Sequence, residues 1–282
     1  MASPIVLSHY QAEPLLEARS EGRAAALCSL DLGLTTVEVT LSPDGIEHPP
    51  ELRLSWPQLE QIAGSDNSCF LVSSGSIQKI QLFSEETNRL YTLYPTPGAP
   101  TMLISGIPMH RIKGTEPHQD TLTKIKTITP ITGRVLDTAT GLGYTAIAAA
   151  ETAEKVLTIE LDPAASEIAR LNPWSQPLFE NAKIERLFGD SYEEIETFAD
   201  SYFSRIIHDP PMFNLAGDLY SLDFYRQTWR VLARGGRMFH YIGDLESKSG
   251  KNVVRGVLSR LQQAGFTRLV RHPEAFGVVA FK

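Results

Sequence analysis

The hydrophobic and polar positions of this chain follow two patterns, and the change falls near residue 112. Before that point, short apolar or β-branched runs alternate with turn signals such as the Ser-Pro-Asp-Gly run at residues 42–45. The runs predict strands within residues 24–31, 35–41, 69–72, 77–83 and 89–94. We also predict an opening helix over residues 5–19, and a short helix within 52–62 that opens at Ser55 with Pro57 in its first turn. Residues 1–112 are therefore expected to form a smaller β-rich domain.

After residue 133 the pattern becomes a regular alternation of strands and helices. Predicted strands are 134–140, 156–161, 184–188, 204–208 and 236–242, and predicted helices are 144–153, 163–171, 192–198, 219–233 and 252–264. Such alternation is typical of right-handed βαβ units in a parallel sheet. Two final strands, 267–271 and 277–281, are joined by so short a connection that they must be antiparallel. Residues 113–282 are therefore predicted to form a second, α/β domain.

The segment at residues 109–128 joins these two regions, and its polar residues include Asp120 and Lys124. We predict a helix over residues 121–128. Two interpretations remain open for it: a polar linker with a packing helix, or a cover over the ligand. The second is available because a segment before the first strand can reach the carboxyl edge of the sheet.

Length and composition indicate a cytoplasmic globular protein. The chain has 282 residues, 42% of them hydrophobic, and no apolar run approaches the roughly 18 residues of a membrane span. The first residues lack the basic and apolar regions of a signal peptide. The two cysteines, Cys28 and Cys69, have neither disulfide-like nor zinc-like spacing. We expect buried thiols in a reducing compartment, no bound metal and no membrane contact.

Charge is distributed unevenly along the chain. Residues 1–112 carry 6 Lys and Arg against 12 Asp and Glu, so they hold −6 of the net charge of −7. Such a region is poorly suited to nucleic acid, because phosphate contacts require Lys and Arg. Residues 226–271 are the exception, with ten basic residues and two acidic ones. These basic residues predict either solvated helix faces or a patch for an anionic substrate.

A glycine turn after the first predicted parallel strand is the strongest chemical signal. Gly141-x-Gly143-x-x-Ala146 fits the dinucleotide fingerprint, in which glycines allow a sharp turn and close approach of a ligand. Asp137, four residues before Gly141, changes this interpretation. A carboxylate is unfavourable beside a pyrophosphate but is compatible with a sulfonium ligand that carries an α-amino group.

The run Asp137-x-Ala139-x-Gly141-x-Gly143 resembles motif I of the class I S-adenosylmethionine-dependent methyltransferases. The wider pattern is similar to uncharacterised predicted methyltransferases of archaeal type. The resemblance implies a doubly wound, Rossmann-like sheet of seven strands, with S-adenosyl-L-methionine as the cofactor. It also implies that the turn contacts this cofactor. The implied contact residues are Asp137, Thr138, Ala139, Thr140, Gly141, Gly143 and Tyr144.

The next two predicted strands also end in acidic residues. Glu160 can accept both hydroxyl groups of an adenosine ribose, as acids do in NAD-binding folds, and we predict that Glu160 and Leu161 contact the cofactor. Asp162-Pro163 is interpreted first as a helix N-cap. The family resemblance implies that Asp190 holds the adenine amino group, with Gly189 and Ser191 beside it. The alternative is that Asp190 or Ser191 caps the following helix.

The fourth predicted parallel strand ends in Asp209-Pro210-Pro211. This run resembles motif IV of methyltransferases that act on planar nitrogens. Two prolines stiffen the loop, so that the Asp209 carboxylate and the Pro210 carbonyl can accept hydrogens from an NH2 group and orient its lone pair. The family places an aromatic residue directly after the second proline. Here Met212 stands there and Phe213 follows one position later, so the chain departs from the family pattern at the residue expected to stack on the acceptor.

Two histidines lie near the ends of neighbouring predicted strands. His208, which directly precedes the Asp-Pro-Pro run, and His240 could face the substrate and act as a base. A histidine at a strand end is otherwise a packed structural residue. The predicted catalytic set is therefore Asp209, Pro210, Phe213 and His208, with the structural interpretation of both histidines left open.

Together these signals predict an N-methyltransferase that acts on a protein amide or a nucleobase. The acceptor is expected to be a protein, a small molecule or RNA, and a homodimer is one assembly left open. The main alternative is an aminopropyltransferase like spermidine synthase, which would use decarboxylated S-adenosylmethionine. A nicotinamide oxidoreductase is disfavoured by Asp137 and the terminal hairpin. A binding module without activity is disfavoured by the intact Asp-Pro-Pro run.

Overall fold

A computed structural model describes residues 4–48, 52–73, 75–211, 217–245 and 248–282, with the backbone alone at 248–252. The contacts divide the chain into two compact units. One comprises Met1–His118 with Ala164–Pro177, and the other comprises Gln119–Pro163 with Leu178–Lys282. Within the described ranges, no helix is both long and apolar enough to cross a membrane.

The first unit contains small antiparallel sheets, the helices α1 (His9–Ser20) and α2 (Trp56–Ala63), and most of a further helix at residues 163–171. Its strands are β1 (Ile5–Leu7), β2 (Ala25–Cys28), β3 (Val37–Leu41), β4 (Gly45–His48), β5 (Leu52–Ser55), β6 (Phe70–Ser73), β7 (Ser76–Lys79), β8 (Gln81–Ser84), β9 (Arg89–Tyr94), β10 (Thr101–Ile104) and β11 (Ile107–Pro108). The described sheets run β1-β6-β7, β2-β3-β4-β5 and β11-β10-β9-β8. Leu7, Leu15 and Phe70 belong to one buried cluster that joins strands to helices. The β-rich character predicted for this region is confirmed.

The first helix of this unit begins later than predicted, whereas the second begins at the predicted serine. Residues 5–7 form β1, which pairs with β6, and the helix begins after Ser8, whose backbone N–H donates to the side chain of Gln11 at 3.0 Å. In α2, Ser55 ends β5 and caps the helix, with Pro57 in the first turn, as predicted. The opening helix predicted over 5–19 is therefore wrong at its start, because the capping serine sets the first turn.

The second unit is built on a sheet of seven strands among the described residues. They are β12 (Arg134–Asp137), β13 (Lys155–Glu160), β14 (Ile184–Phe188), β15 (Phe203–His208), β16 (Leu232–Tyr241), β17 (Arg268–His272) and β18 (Gly277–Phe281). The helices from residue 117 onward are α3 (Pro117–Lys126), α4 (Tyr144–Ala150), α5 (Pro163–Leu171), α6 (Gln176–Glu180), α7 (Ser191–Glu194), α8 (Leu222–Val231) and α9 (Lys248–Gln263). The predicted alternation of strands and helices is confirmed.

The order across this sheet is β14-β13-β12-β15-β16-β18-β17. Strands β12 to β16 pair in parallel, whereas β18 is antiparallel to both β16 and β17. The terminal hairpin therefore extends the sheet with β18 on the inside and β17 outermost. The predicted doubly wound, Rossmann-like fold is confirmed.

The order of the strands locates the best place for a ligand. The chain moves from β12 outward to β13 and β14, and then returns to the other side of β12 with β15. In open α/β sheets, ligands bind at such a reversal, beyond the carboxyl ends of the strands. The core beneath this edge is apolar, with Leu136, Ile206 and Met238 from the sheet packed with Phe224 of α8 and Val257 of α9.

Candidate active site at the carboxyl ends of the parallel strands

The glycine turn links β12 to α4, and its two glycines serve different purposes. Both adopt left-handed backbone angles, with φ of 52° at Gly141 and 76° at Gly143. A Cβ atom on Gly143 would lie 2.6 Å from Leu178, whereas one on Gly141 would meet nothing within 4 Å. Gly143 is therefore required by packing. Gly141 leaves open space where a ligand can approach the backbone.

Asp137, at the end of β12, is fully buried and is held by hydroxyl groups. Its Oδ2 accepts hydrogen bonds from Thr158 at 2.9 Å and from Thr145 at 3.1 Å. Thr158 in turn accepts from Thr140 at 2.7 Å, because its own proton is given to Asp137. Burial is the main cause that raises the pKa of Asp137 to about 7, and the nearby charge of Asp209 adds to it.

Glu160, at the end of β13, fastens the glycine turn to the neighbouring strand. Its Oε2 accepts the Gly141 N–H at 2.8 Å and its Oε1 accepts the Asp162 N–H at 3.0 Å. Burial raises the pKa of Glu160 to about 7, against the opposing effect of these amides. Each carboxylate oxygen has a second lone pair, so Glu160 can still accept hydroxyl groups. Asp162 directly precedes α5, as expected for an N-cap.

Two apolar side chains lie beside Glu160 and are unusually exposed. Leu161 and Phe188 each retain 52% of their accessible surface, and Phe188 is the register partner of Glu160 across β13 and β14. Exposed large apolar groups next to a carboxylate can take a flat ring on one side and its polar substituents on the other. The end of β14 thus adds an apolar surface to the edge.

Asp190 and Ser191 follow β14 and begin α7. Asp190 is exposed, and its Oδ1 accepts the Tyr192 N–H at 2.8 Å, so it caps the helix. Ser191 is buried and donates its hydroxyl proton to the carbonyl of Thr138 at 2.7 Å. The capping interpretation of Asp190 is confirmed, while a contact to adenine stays a prediction that capping does not prevent.

The Asp-Pro-Pro loop follows β15 on the other side of β12. The Asp209 side chain is 13% exposed, and its Oδ2 accepts from the ammonium of Lys124 at 2.7 Å. Pro210 is buried, and the Pro211 carbonyl accepts the hydroxyl of Tyr220 at 3.2 Å. The loop is thus held from two sides. Residues 212–216 lie outside the described residues, so stacking on Phe213 stays a prediction.

The contacts of His208 favour its structural interpretation. The Leu219 carbonyl can only accept, so His208 Nε2 carries the proton and donates to it at 2.9 Å. Nδ1 then accepts from the Thr138 hydroxyl at 2.7 Å. Burial lowers the pKa of His208 to about 3 and also lowers the pKa of His240, which bonds Tyr225 at 2.8 Å. Neither geometry presents a base to the edge of the sheet.

The structure adds side chains to the site that we did not assign from the sequence. Lys124 and Asp120, on α3, form an ion pair of 2.9 Å in which the side chains are 1% and 0% exposed. Lys124 also lies 4.6 Å from the ring centroid of Tyr241 at the end of β16. The i,i+4 spacing was visible in the sequence, but such pairs are usually solvated. The partner 85 residues away, Asp209, was not visible.

Comparison with solved structures agrees with this architecture. A spermidine synthase in complex with the transition state analogue AdoDATO is 18% identical, with a TM-score of 0.59 over 71% of each chain. A spermidine synthase from Thermotoga maritima is 17% identical, with a TM-score of 0.57 over 71% of this chain and 70% of the other. At this identity the likeness shows the fold alone: a Rossmann-like α/β protein with a β-rich N-terminal part.

A closer likeness appears in sequence. The uncharacterized protein MJ1233 of Methanocaldococcus jannaschii is 43% identical over 235 residues, which cover 83% of this chain and 80% of that protein. The chain therefore belongs to the same family as MJ1233. No family model matches the chain.

Proposed function

We propose that this protein is an S-adenosylmethionine-dependent methyltransferase that acts on a nitrogen held by the Asp209-Pro210-Pro211 loop. The observation that supports it best is a juxtaposition: the glycine turn of β12 stands between Glu160 on β13 and Asp209 on β15. One side of the reversal thus carries features that suit an adenosyl group. The other side carries a carboxylate that suits an acceptor.

The residues on the β13 side fit the cofactor. Open space above Gly141 lets a ligand reach the backbone, and Glu160 offers remaining lone pairs to ribose hydroxyls. Leu161 and Phe188 supply an exposed apolar surface for an adenine ring. The sulfonium group would supply an electrophilic methyl group, and the protein's task is to align a nucleophile with it.

On the β15 side, Asp209 is suited to orient an acceptor NH2 group. A carboxylate accepts hydrogen bonds without donating any, and the prolines together with the Tyr220 hydroxyl restrict movement of the loop. A neutral nitrogen bound in this way points its lone pair toward the donor. An amide of a protein or an exocyclic amine of a nucleobase has this chemistry, and the acidic first 112 residues favour an acceptor other than a long nucleic acid.

Transfer of an aminopropyl group to a polyamine is the second candidate. The carboxylates of Asp120, Asp137 and Asp209 lie in one region, and carboxylates attract cationic amines. However, Lys124 already places a positive charge 2.7 Å from Asp209. Asp120 shares this ammonium, so the cluster keeps a net negative charge and charge does not separate the two candidates. The Asp209-Pro210-Pro211 loop is the feature that favours methyl transfer.

Ligand-dependent thermal unfolding tests this proposal directly. The purified protein is heated with S-adenosylhomocysteine, decarboxylated S-adenosylmethionine or NAD. A ligand at about 100 times its Kd adds about 2.7 kcal/mol to the free energy of unfolding and raises the midpoint by several degrees. We expect S-adenosylhomocysteine to stabilise most. Stabilisation by the decarboxylated compound alone would favour polyamine chemistry, and stabilisation by NAD alone would overturn the proposal.

A further inference from the structure

Lys124 is buried at the carboxyl edge of the sheet and contacts three groups from different elements. Its Nζ lies 2.9 Å from Oδ2 of Asp120 on the same helix and 2.7 Å from Oδ2 of Asp209 after β15. The ring centroid of Tyr241 is 4.6 Å away. Two carboxylates and an aromatic face thus surround one ammonium.

The environment keeps this ammonium charged. Burial alone would lower the pKa of Lys124, but the carboxylates of Asp209 and Asp120 outweigh it and raise the pKa above its usual value. A buried charge without partners would be expensive, and the Tyr241 ring offers a further favourable contact. Lys124 is therefore a permanent cation at neutral pH.

The exposure of the cluster shows where it acts. Asp120 and Lys124 have side chains that are 0% and 1% exposed, whereas the Asp209 side chain is 13% exposed. A substrate can therefore reach the cluster through Asp209 and not through the other two. Replacing a buried ion pair by apolar side chains of similar volume often leaves a protein equally stable. Stability alone therefore does not explain why a cation lies at this place.

We infer that Lys124 is a positioning residue for Asp209, and that Asp120 holds Lys124 in place. The ammonium fixes Oδ2 of Asp209 and sets the direction from which an acceptor N–H can bind it. This inference rests on the proposed function, because it gives Asp209 an acceptor to hold.

Labelled methyl transfer tests the inference. Labelled S-adenosylmethionine is incubated with the protein and with the protein, RNA and small-molecule fractions of a cell extract, and initial rates are measured across pH. The variants are Lys124→Met, Asp209→Asn and the double variant. Lys126→Met is the matched control, because Lys126 is an exposed lysine on the same helix.

We expect Lys124→Met to lower kcat about 100-fold, the size of effect that misplacement by about 1 Å can cause, with the affinity for S-adenosylhomocysteine nearly unchanged. The effect should not add to that of Asp209→Asn, because residues that act as a unit are not additive. The control should match the wild type. Of the two lysine variants, only Lys124→Met should change the pH dependence of the initial rate.

Different failures have different meanings. If no fraction is labelled by the wild type, the proposed function fails and the inference fails with it. If the wild type is active and Lys124→Met is equally active, or if its loss adds fully to that of Asp209→Asn, the inference alone is overturned. Should Lys124→Met fail to fold, Lys124→Met combined with Asp120→Asn removes one charge of each sign from the buried cluster, and the same cycle is run on that background.

Discussion

Two carboxylates lie at the ends of neighbouring strands, and they differ in burial and in the groups that bind them. Asp137, after β12, is fully buried and receives hydrogen bonds from threonine hydroxyls. Asp209, after β15, is partly exposed and is paired with the ammonium of Lys124. Hydroxyl groups stabilise a carboxylate without cancelling its charge, whereas an ammonium supplies the opposite charge. The comparison teaches that the fold surrounds Asp137 with neutral hydrogen-bond donors and pairs Asp209 with a cation.

The largest expected effect is on catalysis, from Asp209→Asn. The variant keeps the size of the side chain but removes its charge and one acceptor, so kcat should fall by about 100- to 1000-fold, as when one preorganised polar group is lost. The affinity for S-adenosylhomocysteine should stay near that of the wild type. Labelled methyl transfer and calorimetric titration measure the two quantities. Asp223→Asn, an exposed acid on α8, is the control, and an equal loss of binding in Asp209→Asn would mean that Asp209 shapes the cofactor site instead.

A smaller effect is expected on stability, from Asp137→Asn. Because burial raises the pKa of Asp137 from 3.8 to about 7, the folded protein holds a proton that the unfolded chain releases at lower pH. The free energy of unfolding should therefore fall as pH rises, by about 2 kcal/mol from this group between pH 5 and pH 7.

The asparagine variant lacks this titration, while Glu160 titrates in both proteins. As pH rises, the wild type should therefore lose stability relative to Asp137→Asn, and the difference between their free energies of unfolding should shift in favour of the variant. Urea unfolding at several pH values measures it. A difference that does not depend on pH would show that Asp137 carries its charge throughout this range.

The smallest expected effect is on cofactor affinity, from Glu160→Gln. Its amide replaces one of the oxygens that accept the Gly141 and Asp162 N–H groups. A hydrogen bond to a charged group contributes about 1.5–3 kcal/mol, so part of this loss should weaken S-adenosylhomocysteine binding by about 10-fold.

Turnover at saturating cofactor should change little in Glu160→Gln, which is the reverse of the expectation for Asp209→Asn. Glu185→Gln is the control, since Glu185 forms an exposed pair with Lys155 on the same sheet and such pairs contribute little. If the affinity for S-adenosylhomocysteine is unchanged in Glu160→Gln, then Glu160 stabilises the glycine turn but does not contribute to cofactor binding.

Much of the fold could be predicted because its determinants are local. Apolar runs that alternate with helical segments indicated the parallel strands, and the glycine turn indicated where β12 ends. The errors arose where pairing between distant residues decides the structure. The helix predicted from residue 5 lost its first residues to β1, because the pairing of β1 with β6 depends on residues about 65 positions away. The predicted strand 77–83 divides into β7 and β8, which join different sheets.

The candidate site was predictable only in part. Asp137, Glu160 and Asp209 each follow an apolar strand, and parallel strands bring their carboxyl ends to one edge. The contacts that distinguish these acids were not predictable. Thr158 and Thr145 reach Asp137 from β13 and α4. The positions of these three residues in the sequence do not indicate that the two threonine hydroxyls bind the aspartate.

What the sequence determined by itself was the order of strands and helices, the sharp turn at Gly143 and the acids at strand ends, because local sterics and hydrophobic periodicity specify them. Only the tertiary structure decided which acid is neutralised by an ammonium and which is held by hydroxyls. The physical reason is that burial and pairing depend on groups distant in the chain: α3 brings Lys124 to Asp209 across 85 positions, and no local rule encodes that contact.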